Sequence, residues 1–184
     1  MQQQELDRLV GRTVGKADIT GAVLQVASGD GATDLISAAG DFEPDSRYSI
    51  ASINKMFISA LILRLAAQRV LGLDDRFADF VSEDVVAGLH VIDGTDYSRA
   101  ITLRHMLSQT SGLPDYLDDR LPDGRIVHED LRAGLDPSWP VPLVLDTVKQ
   151  MQPHFPPGQP GKAEYIDTNH QLLELVVERV TGRT

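Results

Sequence analysis

A chain of 184 residues with 27 Asp plus Glu against 17 Lys plus Arg has a net charge of −10 at pH 7 and the length of one ordinary domain with room for a core. The basic residues are scattered, which leaves no nucleic-acid footprint and no polybasic membrane patch, and the acid excess serves solubility. Cysteine is absent, which removes disulfides, a thiol nucleophile and any cysteine-ligated metal.

In chain order, the opening "MQQQELDRLVGRTVGKAD" has no basic stretch leading into an apolar one and is not a secretory signal. This fits a cytoplasmic protein or a secreted one without its leader, so the compartment stays open. Glu5 to Val14 reads as a short amphipathic helix with Leu6, Leu9, Val10 and Val14 on one face. "ITGAVLQVAS" and "TDLISAAG" flank the turn "GDGA", which predicts a β-hairpin over residues 21–39, and residues 41–48 read as a loop or a short third strand. A helix follows from about Ser52 to Val70, apolar from Met56 on apart from Ser59 and Arg64, and ended by Gly72. Its longest apolar run, "MFISALIL", is far short of the roughly 20 residues that a membrane span needs.

Ile101 and Thr102 predict a staple and N-cap for a helix over 103–109, closed by Gly112 and Pro114. Residues 115–136 are acidic and turn-rich, a surface excursion that would overhang a nearby site and disfavour anionic substrates. Residues 143–151 are helical, and "QPHFPPGQPGKAEY" is irregular. Thr168 and Gln171 have capping-box spacing ahead of a last helix closed by Gly182. Helix, strands, then a long helical stretch make the fold class α+β with segregated elements. We divide it into residues 1–70, with the helix, hairpin and following helix, and the helical residues 71–184.

Several motif fragments lead nowhere. "GRTVGKA" has its glycines one residue too close for a P-loop and no Ser or Thr after Lys16, and "GDGATD" lacks the third glycine of a dinucleotide fingerprint. There is no G-x-S-x-G elbow. His90, His105, His128, His154 and His170 fall at no metal-ligand spacing, so each reads as a surface or capping histidine and no metal or cofactor is expected.

Ser52-Ile53-Asn54-Lys55 is the one S-x-x-K. Read plainly, Ser52 caps a helix and Lys55 reaches for solvent. Against that, a first-turn lysine opposes the helix dipole at a cost of roughly 0.3–1 kcal/mol, and the apolar helix behind it predicts a covered start. Residues three apart share a helix face, so the Lys55 amine can reach the Ser52 hydroxyl. The helix end and desolvation favour the neutral amine that a general base requires, and the Ser52 amide can donate to an oxyanion.

"YSIASINKMFISALI" resembles the first motif of the serine β-lactamase and penicillin-binding-protein superfamily, in its class C β-lactamase, DD-peptidase and esterase branch. "ITLRHMLSQTSGLPDY" resembles the segment that branch carries next. "FPPGQPGKAEYIDTNHQLLELVVERVTG" resembles the region of its second motif, Y-x-N, which falls on Tyr165-Ile166-Asp167. The resemblance spans almost the whole chain. It implies a β-lactamase/transpeptidase-like fold in which Ser52 is the acylated nucleophile, Lys55 its proton partner and Tyr165 a second proton-handling group, with the acylating base left open between the two. Position 167 would bind substrate.

Two departures qualify it. Asp167 stands where the branch has asparagine: an aspartate keeps the acceptor, loses the amide donor, and places a negative charge that should raise the pKa of Lys55 and weaken it as a base. Plainly read, it is an acidic residue well placed at a helix start. The third motif, K-T-G or a histidine equivalent, is not found at Lys16, Lys55, Lys149, Lys162 or any histidine. The branch carries it on later strands that return to the hairpin, so those strands are expected to be absent and the chain to be truncated. We expect such a chain to have little activity alone and to self-associate or take up a complementing segment, because a lone hairpin is marginal and an open edge invites pairing. The expected function is a serine hydrolase of β-lactams, D-Ala-D-Ala peptides or small esters. The alternatives are a penicillin-binding sensor or non-catalytic binding module of the same fold, and a structural domain in which Ser52 only caps.

Overall fold

A computed structural model describes residues 2–16, 18–135 and 138–183. It divides into two compact units, Met1–Ile50 and Ala51–Thr184, so the helix after Ser52 groups with the helical region.

In the first unit, α1 (Gln3–Gly11) buries Leu6 and Val10, one turn apart. Its apolar face is narrower than the sequence suggests. Leu9 is exposed, and Val14 lies beyond the helix, which stops after Gly11. β1 (Gly21–Ala27) and β2 (Asp34–Gly40) pair antiparallel from Gly21 opposite Gly40 to Ala27 opposite Asp34. Ser28 and Asp30 close the connection with their side chains: Ser28 Oγ accepts from the Thr33 amide, and Asp30 accepts from the Ala32 amide. Residues 41–48 form turns and loop, not a third strand. Phe42 and Tyr48 stack there at 5.5 Å.

In the second unit, a 3-10 turn (Ala51–Ile53) leads into α2 (Asn54–Ala67). Ala51 sits at φ 44°, a left-handed conformation that costs a non-glycine residue energy and falls directly before Ser52. α2 ends earlier than predicted. Arg69, at φ 59°, takes the position expected of Gly72, with the Arg69 amide on the Ala66 carbonyl at 2.9 Å and the Val70 amide on that of Leu65 at 3.0 Å. The Gly72 amide instead donates to Asp75. The covered helix start is also corrected: Ile53, Met56, Phe57, Leu61 and Leu63 are exposed, and only Ile62 is fully buried.

After a 3-10 turn at Phe77–Asp79 come α3 (Glu83–Val86) and a small hairpin of β3 (Val91–Ile92) and β4 (Thr95–Asp96), which the sequence did not announce. α4 (Leu103–Leu107) is shorter than predicted but starts as expected: Thr102 accepts from the His105 amide, and His105 Nδ1 accepts from the Thr102 amide. The acidic excursion is not all surface. Asp115 and Leu121 are buried, and so is Val127 at the head of α5 (Val127–Arg132); Asp136 lies outside the described residues. α6 (Val141–Val148) starts and stops earlier than the predicted 143–151. α7 (Asp167–Thr181) closes on Gly182 at φ 66°. The core joins Ile62, Phe77, Met106, Val144, Leu172 and Val176, among others, so α7 lies against α2, α4 and α6. Short antiparallel sheets with a predominance of helix make the α+β class. No helix among the described residues is long and apolar enough to cross a membrane.

His154 ties the proline-rich segment to the residues after Pro114. Its Nε2 meets Asp119 at 2.7 Å and its Nδ1 meets Glu164 at 2.6 Å. The Asp119 hydrogen bond, outweighing burial, raises its pKa to about 9. A histidine raised in the folded state adds stability that is complete below its unfolded value of about 6.5 and is lost as pH rises through 9. Urea unfolding should therefore show a loss of about 1–2 kcal/mol between neutral pH and pH about 10, after allowance for solvent screening, and His154→Ala should remove that loss.

Candidate active site

The 3-10 turn and first turn of α2 carry Ser52 and Lys55 on one face, and Lys55 Nζ donates to Ser52 Oγ at 3.1 Å. Lys55 also donates to Asp167, which is 112 residues away in sequence and is the first residue of α7. Both side chains of this pair are largely covered, 15% and 13% exposed. The Tyr165 ring lies 4.9 Å from the Lys55 ammonium and is 53% exposed. All four residues singled out in the sequence thus meet around one ammonium group.

The charge state differs from what a helix end and desolvation imply. Burial does push the Lys55 pKa down, but hydrogen bonds to Asp167 and Tyr165 and the charge of Asp167 outweigh it, and the net direction is up. Lys55 is an ammonium ion at neutral pH.

A groove of about 440 Å³ runs along α2 from this centre, lined by Ser52, Lys55, Met56, Ser59, Tyr165 and His170. Ser59 Oγ and His170 Nε2 are 3.1 Å apart. This pair was missed, although Ser59 is one turn past Lys55 and His170 one turn past Asp167, so helical spacing alone places both beside the site. His170 is not the surface or capping residue expected. It is 8% exposed, with its pKa lowered by burial and by Lys55, and its Nδ1 has no partner among the described residues. His90 is buried likewise, while His105 caps α4 and His128 is exposed against Asp118. A larger cavity of about 570 Å³ at the far end of α2 and α7, by Leu61, Arg64 and Val177, has no nucleophile–base pair among the described residues.

The segment from Gln109 to Tyr116 fixes the start of α7. Gln109 Oε1 accepts from the Ile166 amide at 3.0 Å and from Asn169 Nδ2 at 2.7 Å, and Ser111 Oγ donates to Asn169 Oδ1 at 2.7 Å. Thr168 is not an N-cap, since Ile166 holds that position. The Thr168 hydroxyl instead donates to the Pro114 carbonyl at 2.8 Å and accepts from the Tyr116 amide. The Asp167 amide donates to Asp115 at 3.1 Å. Gly112 makes the turn possible at φ 70°, where a Cβ would sit 1.8 Å from the Phe155 carbonyl oxygen.

An S-x-x-K serine and lysine at the start of α2 are thus met by a Y-x-D tyrosine just ahead of α7 and by the aspartate that opens it. The Beta-lactamase family model matches residues 6–184, and the chain belongs to that family. It is similar to Protein flp of Staphylococcus aureus, 25% identical over 190 residues, which cover 99% of this chain and 34% of that protein. Among solved structures it is similar to a D-stereospecific amidohydrolase from Streptomyces sp., with 27% identity and TM-score 0.74 over 100% of this chain and 51% of that one. A penicillin binding protein from Bacillus halodurans is 26% identical with TM-score 0.62, over 88% of this chain and 47% of that one. The chain therefore spans about a third of its curated relatives and about half of these solved ones. The fold is β-lactamase/transpeptidase-like.

Proposed function

We propose that this is a serine hydrolase of the β-lactamase family that forms an acyl-enzyme on Ser52. The observation that carries the reading is the hydrogen bond between Lys55 and Ser52 in a groove large enough for an acyl group. Ser52 Oγ attacks the carbonyl, its proton passes to a base, and the leaving group departs with a proton in turn. Lys55 must release a proton before it can accept one from Ser52. The Asp167 carboxylate opposes that release, so acylation is slow. Tyr165 lies beside the same ammonium and is the second candidate for the proton.

The solved relatives include a D-stereospecific amidohydrolase and a penicillin binding protein, which makes amides, β-lactams and D-peptides the substrate classes to try first, with small esters. Asp115, Asp118 and Asp167 offer oxygens within 4.8 Å of one another, and this negative charge favours neutral substrates over anionic ones. The charged Lys55 supports a second reading, a sensor that is acylated without turnover. Exposed Met56, Phe57, Leu61 and Leu63 on α2 support self-association or a complementing segment as a condition for turnover.

A fluorescent penicillin and a p-nitrophenyl ester separate these readings. Label that is lost with time, with ester turnover, indicates a hydrolase; stable label indicates a sensor. Efficient turnover by a monodisperse monomer contradicts the requirement for association. Label that persists in Ser52→Ala shows that the nucleophile is misassigned.

A further inference from the structure

Asp115 has a buried carboxylate, 2% exposed, with both oxygens engaged. Oδ1 accepts from the Leu117 amide at 3.0 Å and Oδ2 from the Asp167 amide at 3.1 Å. The second bond matters most, because that amide opens α7 and belongs to the residue whose side chain holds Lys55. Asp167 is thus gripped twice, by its main chain on a carboxylate and by its side chain on an ammonium.

The charged surroundings are crowded. Asp118 and Asp167 approach Asp115 within 4.8 Å; Asp118 is tied to His128 at 2.7 Å; Asp119 accepts from the Asp115 amide at 2.6 Å and is tied to His154. Beyond Asp167 stands Lys55. Burial pushes the Asp115 carboxyl up to about 6, with the Leu117 and Asp167 amides pulling it down and the charges of Asp167 and Asp118 pushing it further up. A neutral carboxyl is a weaker acceptor for the Asp167 amide than a carboxylate, by roughly a factor of two.

We propose that Asp115 is a positioning residue of the Ser52–Lys55 site: its carboxylate sets the first turn of α7 so that Asp167 meets Lys55, and protonation of Asp115 slackens that contact. The inference rests on the hydrolase reading for its catalytic meaning, while the contact itself is measurable without turnover.

The test is an NMR titration of the 184-residue chain from pH about 4.5 to about 8, following the Asp167 amide and the Lys55 ε-carbon. In the unsubstituted protein both signals should shift in one step with a shared midpoint near 6. Asp115→Asn should lose the step near 6, leaving only what His170 contributes, which His170→Asn removes, and Asp118→Asn should keep the step at a lower midpoint. Fluorophosphonate labelling of Ser52 should differ between Asp115→Asn and the parent by about threefold or more at pH about 7.5, and by less at pH about 5, where the parent is itself protonated. A purely structural cap gives no such convergence. Absence of a step in the Asp167 amide, or a step that survives Asp115→Asn in the His170→Asn background, overturns the proposal. If Asp115→Asn does not fold, the parent and Asp118→Asn titrations decide. If Ser52 never labels, the hydrolase reading fails while the titration still tests Asp115.

Discussion

Asp167→Asn is expected to accelerate acylation of Ser52 by about tenfold or more at pH 7, with a fluorophosphonate as the acyl-group mimic. Burial lowers the Lys55 pKa, and the Asp167 carboxylate together with Tyr165 raises it. Without the carboxylate, burial weighs more, the amine gives up its proton more readily, and Ser52 gains a base at 3.1 Å. Asparagine keeps an acceptor for Lys55 and restores an amide donor toward substrate. The variant should bind Lys55 less firmly and lose some stability, so it should be faster yet melt lower. An unchanged or slower rate would show that Asp167 does not restrain Lys55.

Gly112→Ala is expected to cost about 3–5 kcal/mol, measured as a fall in the urea midpoint at unchanged slope. Two causes add. The residue sits at φ 70°, and its new methyl would lie 1.8 Å from the Phe155 carbonyl oxygen, a main-chain atom that cannot rotate away. The Gly112 carbonyl also accepts from the His154 amide at 2.8 Å, so a shift here disturbs the proline-rich segment. Because residues 109–116 hold the start of α7, labelling of Ser52 should fall with stability even in the folded fraction. A loss under about 1 kcal/mol would mean that the Phe155 backbone yields freely.

What the sequence revealed depended on the range of the interaction. Ser52 and Lys55 were legible because one helical turn brings them together whatever the rest of the fold does. The hairpin and the Gly182 stop were legible for the same local reason. Tyr165 and Asp167 were reached through resemblance to a known motif, since no local rule predicts contact across 112 residues. Arg69 in the left-handed position was not legible, because glycine is the expected residue there and Gly72 stood three positions on. Thr168 carried a true capping signature that lost to tertiary bonds with Pro114 and Tyr116. Asp115 looked like one more acid in a solvated excursion; its burial comes from a close approach of two distant segments. His170 has no metal-ligand spacing to mark it, and only its helical offset from Asp167 brings it to the site.

Whether Ser52 is the residue acylated can be read from the position of the adduct. The 184-residue chain is treated with a fluorophosphonate, digested, and the modified peptide sequenced by mass spectrometry. A single adduct on Ser52 is expected, absent from Ser52→Ala and formed faster in Asp167→Asn. An adduct on Ser59 or Tyr165, or no adduct in either the parent or Asp167→Asn, would contradict it.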